Sequence, residues 1–143
     1  SLLKNKGIWY LFTTSDIGFE IFFTENIKNG NLVAHPQNPI TTNPRYTRCG
    51  GSPVFLGGDL YRIAQDGTSE YGKNINILRI NNLSETVYDE ELVRGNYFSH
   101  TESWNSEGGH HLNIMEFMGK KIVAVDGKQN DLFVNKFLAM IQR

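Results

Sequence analysis

The hydrophobic positions of this chain come in short runs, and no stretch before residue 131 repeats them convincingly at the three- and four-residue intervals of a helix face. "GIWYLFTTS" (7–15), "GFEIFFTEN" (18–26), "SPVFL" (52–56), "GDLYRIAQ" (58–65), "INILRIN" (75–81), "HLNIMEF" (111–117) and "KKIVAVD" (120–126) are rich in Ile, Val, Phe and Tyr and bounded by Gly, Asn, Asp or Pro. Such residues suit a pleated, half-buried surface and the boundaries are turn formers, so each run predicts a strand. "ETVYDEELV" (85–93) reads as an outer-edge strand or turn whose acids discourage pairing with another chain. The closing "DLFVNKFLAMIQR" fits a helix or a last strand.

An internal repeat organises the strands. Shifted by 51 residues, "GIWYLF" lies over "GDLYRI" with Tyr10 on Tyr61; shifted by 62, "SPVFLGGDLYRIA" lies over "NIMEFMGKKIVAV" with Gly57 on Gly119, Leu60 on Ile122 and Arg48 on His110. Each copy reads strand, Gly turn, strand, polar loop, strand, which is the sequence form of a β-propeller blade. Blades stack face to face, so a middle strand is buried on both sides, and this explains why "IWYLF" is apolar without alternation. A β-sandwich, the rival architecture, calls for cleaner period-two alternation. The expectation is an all-β chain forming a partial five-bladed β-propeller, about two and a half blades, with pieces near 1–46, 47–100 and 101–143. Residues 50–56, 59–65 and 75–81 should be consecutive antiparallel strands, and 110–117 should start the next blade. The proline-punctuated "HPQNPITTNPRY" (35–46) should carry the chain from one blade's outer edge to the next blade's centre, since proline cannot donate to a ladder.

Composition narrows the function classes. A net charge of −1 with no Lys/Arg block lacks the field that selects nucleic acid or an anionic membrane surface, so neither partner is expected. The longest apolar runs fall far short of the roughly 20 residues of a membrane-spanning helix. Cys49 is the only cysteine, which excludes an internal disulfide and leans towards the cytoplasm. The chain opens on strand-like sequence without an initiator Met and looks cut from something longer. A ring so incomplete should leave apolar faces without partners, to be covered by the missing remainder or by self-association.

The ordered set "GIWYLFTTS", "LVAHPQNPI", "TRCGGSPVFLGGDLYRIAQDGTSEYGKNINILRINNL" and "GGHHLNIMEF" resembles five-bladed propellers related to glycoside hydrolase families 43 and 32. It is most similar to the propeller module of glucosamine inositolphosphorylceramide transferases and formyltransferase-like bacterial proteins. The resemblance implies a carbohydrate ligand, with glycosidic bond hydrolysis or transfer as the activity, or a non-catalytic module that presents substrate to an attached transferase. It departs at Asn113, where the family motif usually carries an acid, and in lacking the N-terminal blades that hold the hydrolases' catalytic base.

Within that frame, Asp66 and Glu70 are the candidate catalytic pair. Glycoside hydrolysis needs two carboxyls across the scissile bond, one with a raised pKa, and these two share a compact, Gly-flanked loop with Tyr71. The same "QDGTSEYG" also reads as an Asp-Gly turn with a solvated glutamate. Arg48, Arg62, Gln65, Tyr71, His110 and His111 are the candidate substrate contacts: Arg48 and His110 each precede an innermost strand, and Tyr71 could stack on a sugar face. Arg48 could equally be salt-bridged between blades, to Asp66 or Glu70. His110 and His111 occupy successive strand positions, should point to opposite faces and therefore should not share a metal; no metal or other cofactor is expected. A Cys49–His nucleophile pair lacks any feature that would activate the thiol.

Overall fold

The computed structural model describes residues 1–129 and the backbone of residues 132–140. The strands are β1 (Leu2–Asn5), β2 (Ile8–Ser15), β3 (Gly18–Thr24), β4 (Val33–Ala34), β5 (Arg48–Cys49), β6 (Val54–Leu56), β7 (Asp59–Asp66), β8 (Asn74–Leu83), β9 (Tyr88–Arg94), β10 (Leu112–Phe117), β11 (Lys120–Gln129) and β12 (Leu132–Met140), with single 3₁₀ turns at Ile27–Asn29 and Ser103–Asn105. They form three antiparallel sheets: β1-β2-β3-β4, then β7 with β5 and β6 on one side and β8 and β9 on the other, then β10-β11-β12. Of the ambiguous C-terminal stretch, residues 132–140 form a strand. Among the described residues no helix is long and apolar enough to cross a membrane.

Each sheet begins with the same hairpin. Lys6-Gly7, Gly57-Gly58 and Met118-Gly119 all have positive φ at both positions, the two-residue turn whose twist matches that of the flanking strands. The turns coincide at a shift of 51 for the first pair but 61, not 62, for the second. That one-residue correction decides which face each side chain takes, because side chains alternate along a strand. With 61, Ile63 falls on Ala124 and Ala64 on Val125; Ile63 packs from the second sheet towards the third, whereas Val125 packs back towards the second. The first strand of the second sheet, expected as one run over 50–56, is broken into β5 and β6 around Gly50 and Gly51.

The break has a packing cause. Gly50 O accepts a 2.8 Å hydrogen bond from Leu112 N, and a Cβ on Gly51 would stand 1.9 Å from Leu112 O. The leading strands of the second and third sheets therefore touch backbone to backbone, which only glycine permits. Among the described residues two clusters of buried side chains lie between the sheets. Tyr10, Phe12, Phe19 and Ile21 of the first sheet meet Leu60, Ile80 and Tyr88 of the second; Ile63 and Ile75 of the second meet Leu112, Val123 and Val125 of the third, with Phe98 between. The middle sheet is covered on both faces, hence the near-continuous burial of β7. The segment 35–47 links β4 to β5 and is held to β3 by Asn38, whose amide exchanges hydrogen bonds with Ile21 N (2.9 Å) and O (2.7 Å).

Candidate functional site

At one end of the second and third sheets lie the start of β5, the end of β7, the loop 67–73, the approach to β10 and the end of β11. Here Arg48, Tyr71 and His110 converge. The guanidinium carbon of Arg48 lies 5.3 Å from the Tyr71 ring centroid, and the His110 ring meets Tyr71 edge-on at 5.1 Å. Tyr71 is 53% exposed, so the group stands at the surface. Gln65, paired with Arg48 across the β5–β7 ladder, sends Nε2 to His110 O at 3.4 Å and so ties the two strands that carry the cluster.

Asp126 holds this arrangement from below. It is 4% exposed, and its Oδ1 accepts hydrogen bonds from the backbone N–H groups of His110 (2.9 Å) and His111 (2.7 Å), while Oδ2 pairs with His110 Nδ1. A buried carboxylate with two amide donors and an imidazole orients the ring towards the Tyr71 side. His110 and His111 lie just before β10 rather than within it, and their rings are 6.3 Å apart. The strand alternation expected to send them to opposite faces therefore does not govern them. Among the described residues no group of three or more His, Cys, Asp or Glu could hold a metal ion.

The two carboxyls proposed as a catalytic pair are separately engaged. Asp66 is buried, its Oδ1 accepting from Thr68 N (3.0 Å) and Thr68 Oγ1 (2.6 Å), with Oδ2 at 3.4 Å from Arg45 Nε. Burial opposes its charge, but the Thr68 hydrogen bonds and Arg45 outweigh it and hold the carboxyl below its usual range. Glu70 is exposed, bonded to Lys73 Nζ at 3.1 Å and 3.7 Å from Lys128 Nζ, and these lysines lower its pKa. Both are kept ionised, so neither has the raised pKa of a general acid, and the expected acid/base division does not form. The ion pair imagined from Arg48 to Asp66 belongs to Arg45 instead.

Arg62 is not at this edge. It is 1% exposed, with Nε and Nη2 on the two oxygens of Glu90 at 2.7 and 2.6 Å, Nη1 on Tyr46 O at 2.9 Å, and its carbon 4.0 Å from the Phe19 centroid. It spans the second sheet from β7 to Glu90 of β9 and holds the Phe19 ring of the first sheet against it, in a strand that also buries Gln65 and Asp66, and takes no part in the surface cluster. Sequence reasoning missed Asp126, Lys128 and Arg45. The signal for Asp126 was faint: "IVAVD" reads as an apolar run closing on an acid, as "RIAQD" does, although β11 continues past Asp126 to Gln129.

Comparison with known proteins adds a family. The family described as "Glucosamine inositolphosphorylceramide transferase 1, N-terminal" matches residues 2–128. A glucosamine inositolphosphorylceramide transferase 1 of Arabidopsis thaliana is 30% identical over 150 aligned residues, covering 93% of this chain and 20% of that protein. The protein of the same name from Oryza sativa subsp. japonica is 28% identical over 143, covering 87% and 18%. The chain thus spans about a fifth of the length of the curated relatives it matches. No solved structure matches.

Proposed function

This chain belongs to the glucosamine inositolphosphorylceramide transferase 1 N-terminal family, and on that premise we propose that it is a sugar-recognising module of a transferase, acting in substrate presentation rather than bond cleavage. The observation that carries the reading is the convergence of Arg48, Tyr71 and His110 over the buried Asp126. An aromatic ring offers a face to sugar C–H groups, and a planar guanidinium and an imidazole beside it offer directed hydrogen bonds to hydroxyls. The names of the relatives supply the transferase context, and the ionised state of both Asp66 and Glu70 removes the motive for a hydrolytic reading.

The architecture we infer is three successive blades of a β-propeller. It is supported by three hairpins with one turn geometry, by face-to-face stacking through two cores, and by leading strands that touch at Gly50, Gly51 and Leu112. In a propeller those strands line the axis and the clustered residues stand at its rim.

In the full-length parent, Arg48→Ala and Tyr71→Ala should each raise KM for the glycan acceptor about tenfold, the worth of one lost charge-assisted bond or stacking contact, with kcat nearly unchanged. A fall of a hundredfold or more in kcat at constant KM would place chemistry in this module and overturn the presentation reading.

A further inference from the structure

A cleft of about 360 Å³ lies beside the loop 67–73, where it meets the segment that precedes β5 and the segment that follows β9, and Arg45, Asp66, Thr68, Lys73, Asn74 and His100 line it. None of Arg48, Tyr71 and His110 does. Hydrogen bonding fixes the chemistry it presents. Asn74 is 4% exposed, and its Oδ1 accepts from Ile75 N at 3.0 Å and Phe98 N at 2.8 Å. That decides which end of the amide is oxygen, so Nδ2 is the donor to its other two neighbours, Phe98 O at 3.1 Å and His100 Nε2 at 3.0 Å. His100 Nε2 is therefore the acceptor, and the ring proton sits on Nδ1 as a donor. The residue carrying this ring has a φ of 58°, a left-handed conformation that costs free energy in any residue but glycine.

The charged groups of the cleft are donors as well. Arg45 commits Nε to Asp66 Oδ2 at 3.4 Å, and among the described residues neither of its Nη groups has an acceptor; its side chain is 42% exposed. Lys73 Nζ, similarly open, reaches Glu70 Oε1 at 3.1 Å, but Lys128 Nζ shares that carboxylate at 3.7 Å. Three cations thus stand against two carboxylates. Asp66 has little accepting capacity left, with Thr68 N and Thr68 Oγ1 on Oδ1 and Arg45 on Oδ2. Ser69 and Asn96, which also line the cleft, can donate or accept. The balance is a surplus of N–H donors from three separate segments and a surplus of positive charge. A sugar hydroxyl would accept from one such donor but bring another of its own, and a carboxylate has two oxygens to meet donors on three sides. A phosphate group offers three terminal oxygens and matches the planar fork of an arginine.

We propose that this cleft is a phosphate-binding site, seating the terminal phosphate of a phosphomonoester against Arg45, Lys73 and His100. It does not depend on the sugar reading of the Arg48 edge. A soluble sugar phosphate and a phosphorylated lipid headgroup both carry that group, and the probes separate them. NMR of the whole nitrogen-15-labelled chain, at neutral pH and constant ionic strength, would follow the His100 ring nitrogens and the backbone amides of 66–74 and 96–101. The titrants are sodium phosphate, glucose 6-phosphate and phosphatidylcholine vesicles carrying phosphatidylinositol 4-phosphate, with sodium acetate and glucose as controls. Phosphate and glucose 6-phosphate should shift these signals saturably in the millimolar range, and acetate and glucose should not. A response to the vesicles as well would support the site with a lipid headgroup as its source, and silence towards them would support it with a soluble ester. Arg45→Lys keeps a cation beside Asp66 but loses the fork, Lys73→Gln removes an exposed charge, and His100→Gly suits the positive φ but removes the ring donor. Each should weaken binding about tenfold, whereas Arg48→Ala should leave it intact. No saturable shift with phosphate or glucose 6-phosphate, an equal shift with acetate, or an affinity unchanged in Arg45→Lys or in Lys73→Gln would overturn the site. A loss in Arg48→Ala alone would do so too, moving the anion to the edge cluster.

Discussion

Replacing Arg62 with alanine is the most severe single test of how these sheets hold together. The guanidinium makes two bonds to Glu90 and one to Tyr46 O, and covers the Phe19 ring. Burial opposes its charge, yet the hydrogen bonds and charge of Glu90 outweigh that and keep it protonated. Without it Glu90, whose side chain is 11% exposed, keeps among the described residues only the Tyr88 hydroxyl at 2.6 Å, and Tyr46 O loses a donor. Breaking a buried ion pair by removing one partner costs about 3–5 kcal/mol, a large share of the roughly 5–15 kcal/mol that holds a domain folded. At about 3 °C per kcal/mol for a chain of this size, Tm should fall by about 10–15 °C. Thermal and urea unfolding followed by circular dichroism at neutral pH would read it, with sugar titration below the transition. The double variant Arg62→Met, Glu90→Leu should recover most of the loss, because apolar groups of similar volume need no ionic partner. A loss below about 1 kcal/mol in Arg62→Ala, or a variant that folds normally but no longer binds sugar, would refute the clasp and return Arg62 to the ligand.

Two further outcomes follow from the same contacts. Gly51→Ala should destabilise the chain by about 2 kcal/mol or more in urea unfolding, since its Cβ would meet the backbone oxygen of Leu112 rather than a side chain able to move; a neutral result would mean that the second and third sheets do not approach as described. Asp66→Asn should lower stability by about 1 kcal/mol at pH 7, where the carboxylate bonds Thr68 and Arg45, and the difference should shrink in acid. Its folded pKa lies below the ordinary 3.8, so the contribution is present above that value and is lost as pH falls through the lower, folded one; a difference constant down to pH 2 would refute it.

Local chemistry was legible in the residues themselves. Strands at 59–66 and 74–83 follow from β-branched and aromatic runs bounded by turn formers, and the paired Xaa-Gly steps announce hairpins because positive φ at two successive positions is tolerated by few other pairs. What crosses between sheets was not. The break at Gly50 and Gly51 and the burial of Arg62 depend on which backbone lies against which, a property of stacking that no single strand encodes. The same holds for chemistry. "QDGTSEYG" displays two acids close in sequence, but Thr68 and Arg45 hold one and Lys73 and Lys128 the other, whereas Asp126, from the next repeat, is the carboxylate that reaches His110. Proximity along the chain set which side chains were available; the fold set which of them meet, because a charge buried beside its partner is governed by neighbours brought from far along the sequence.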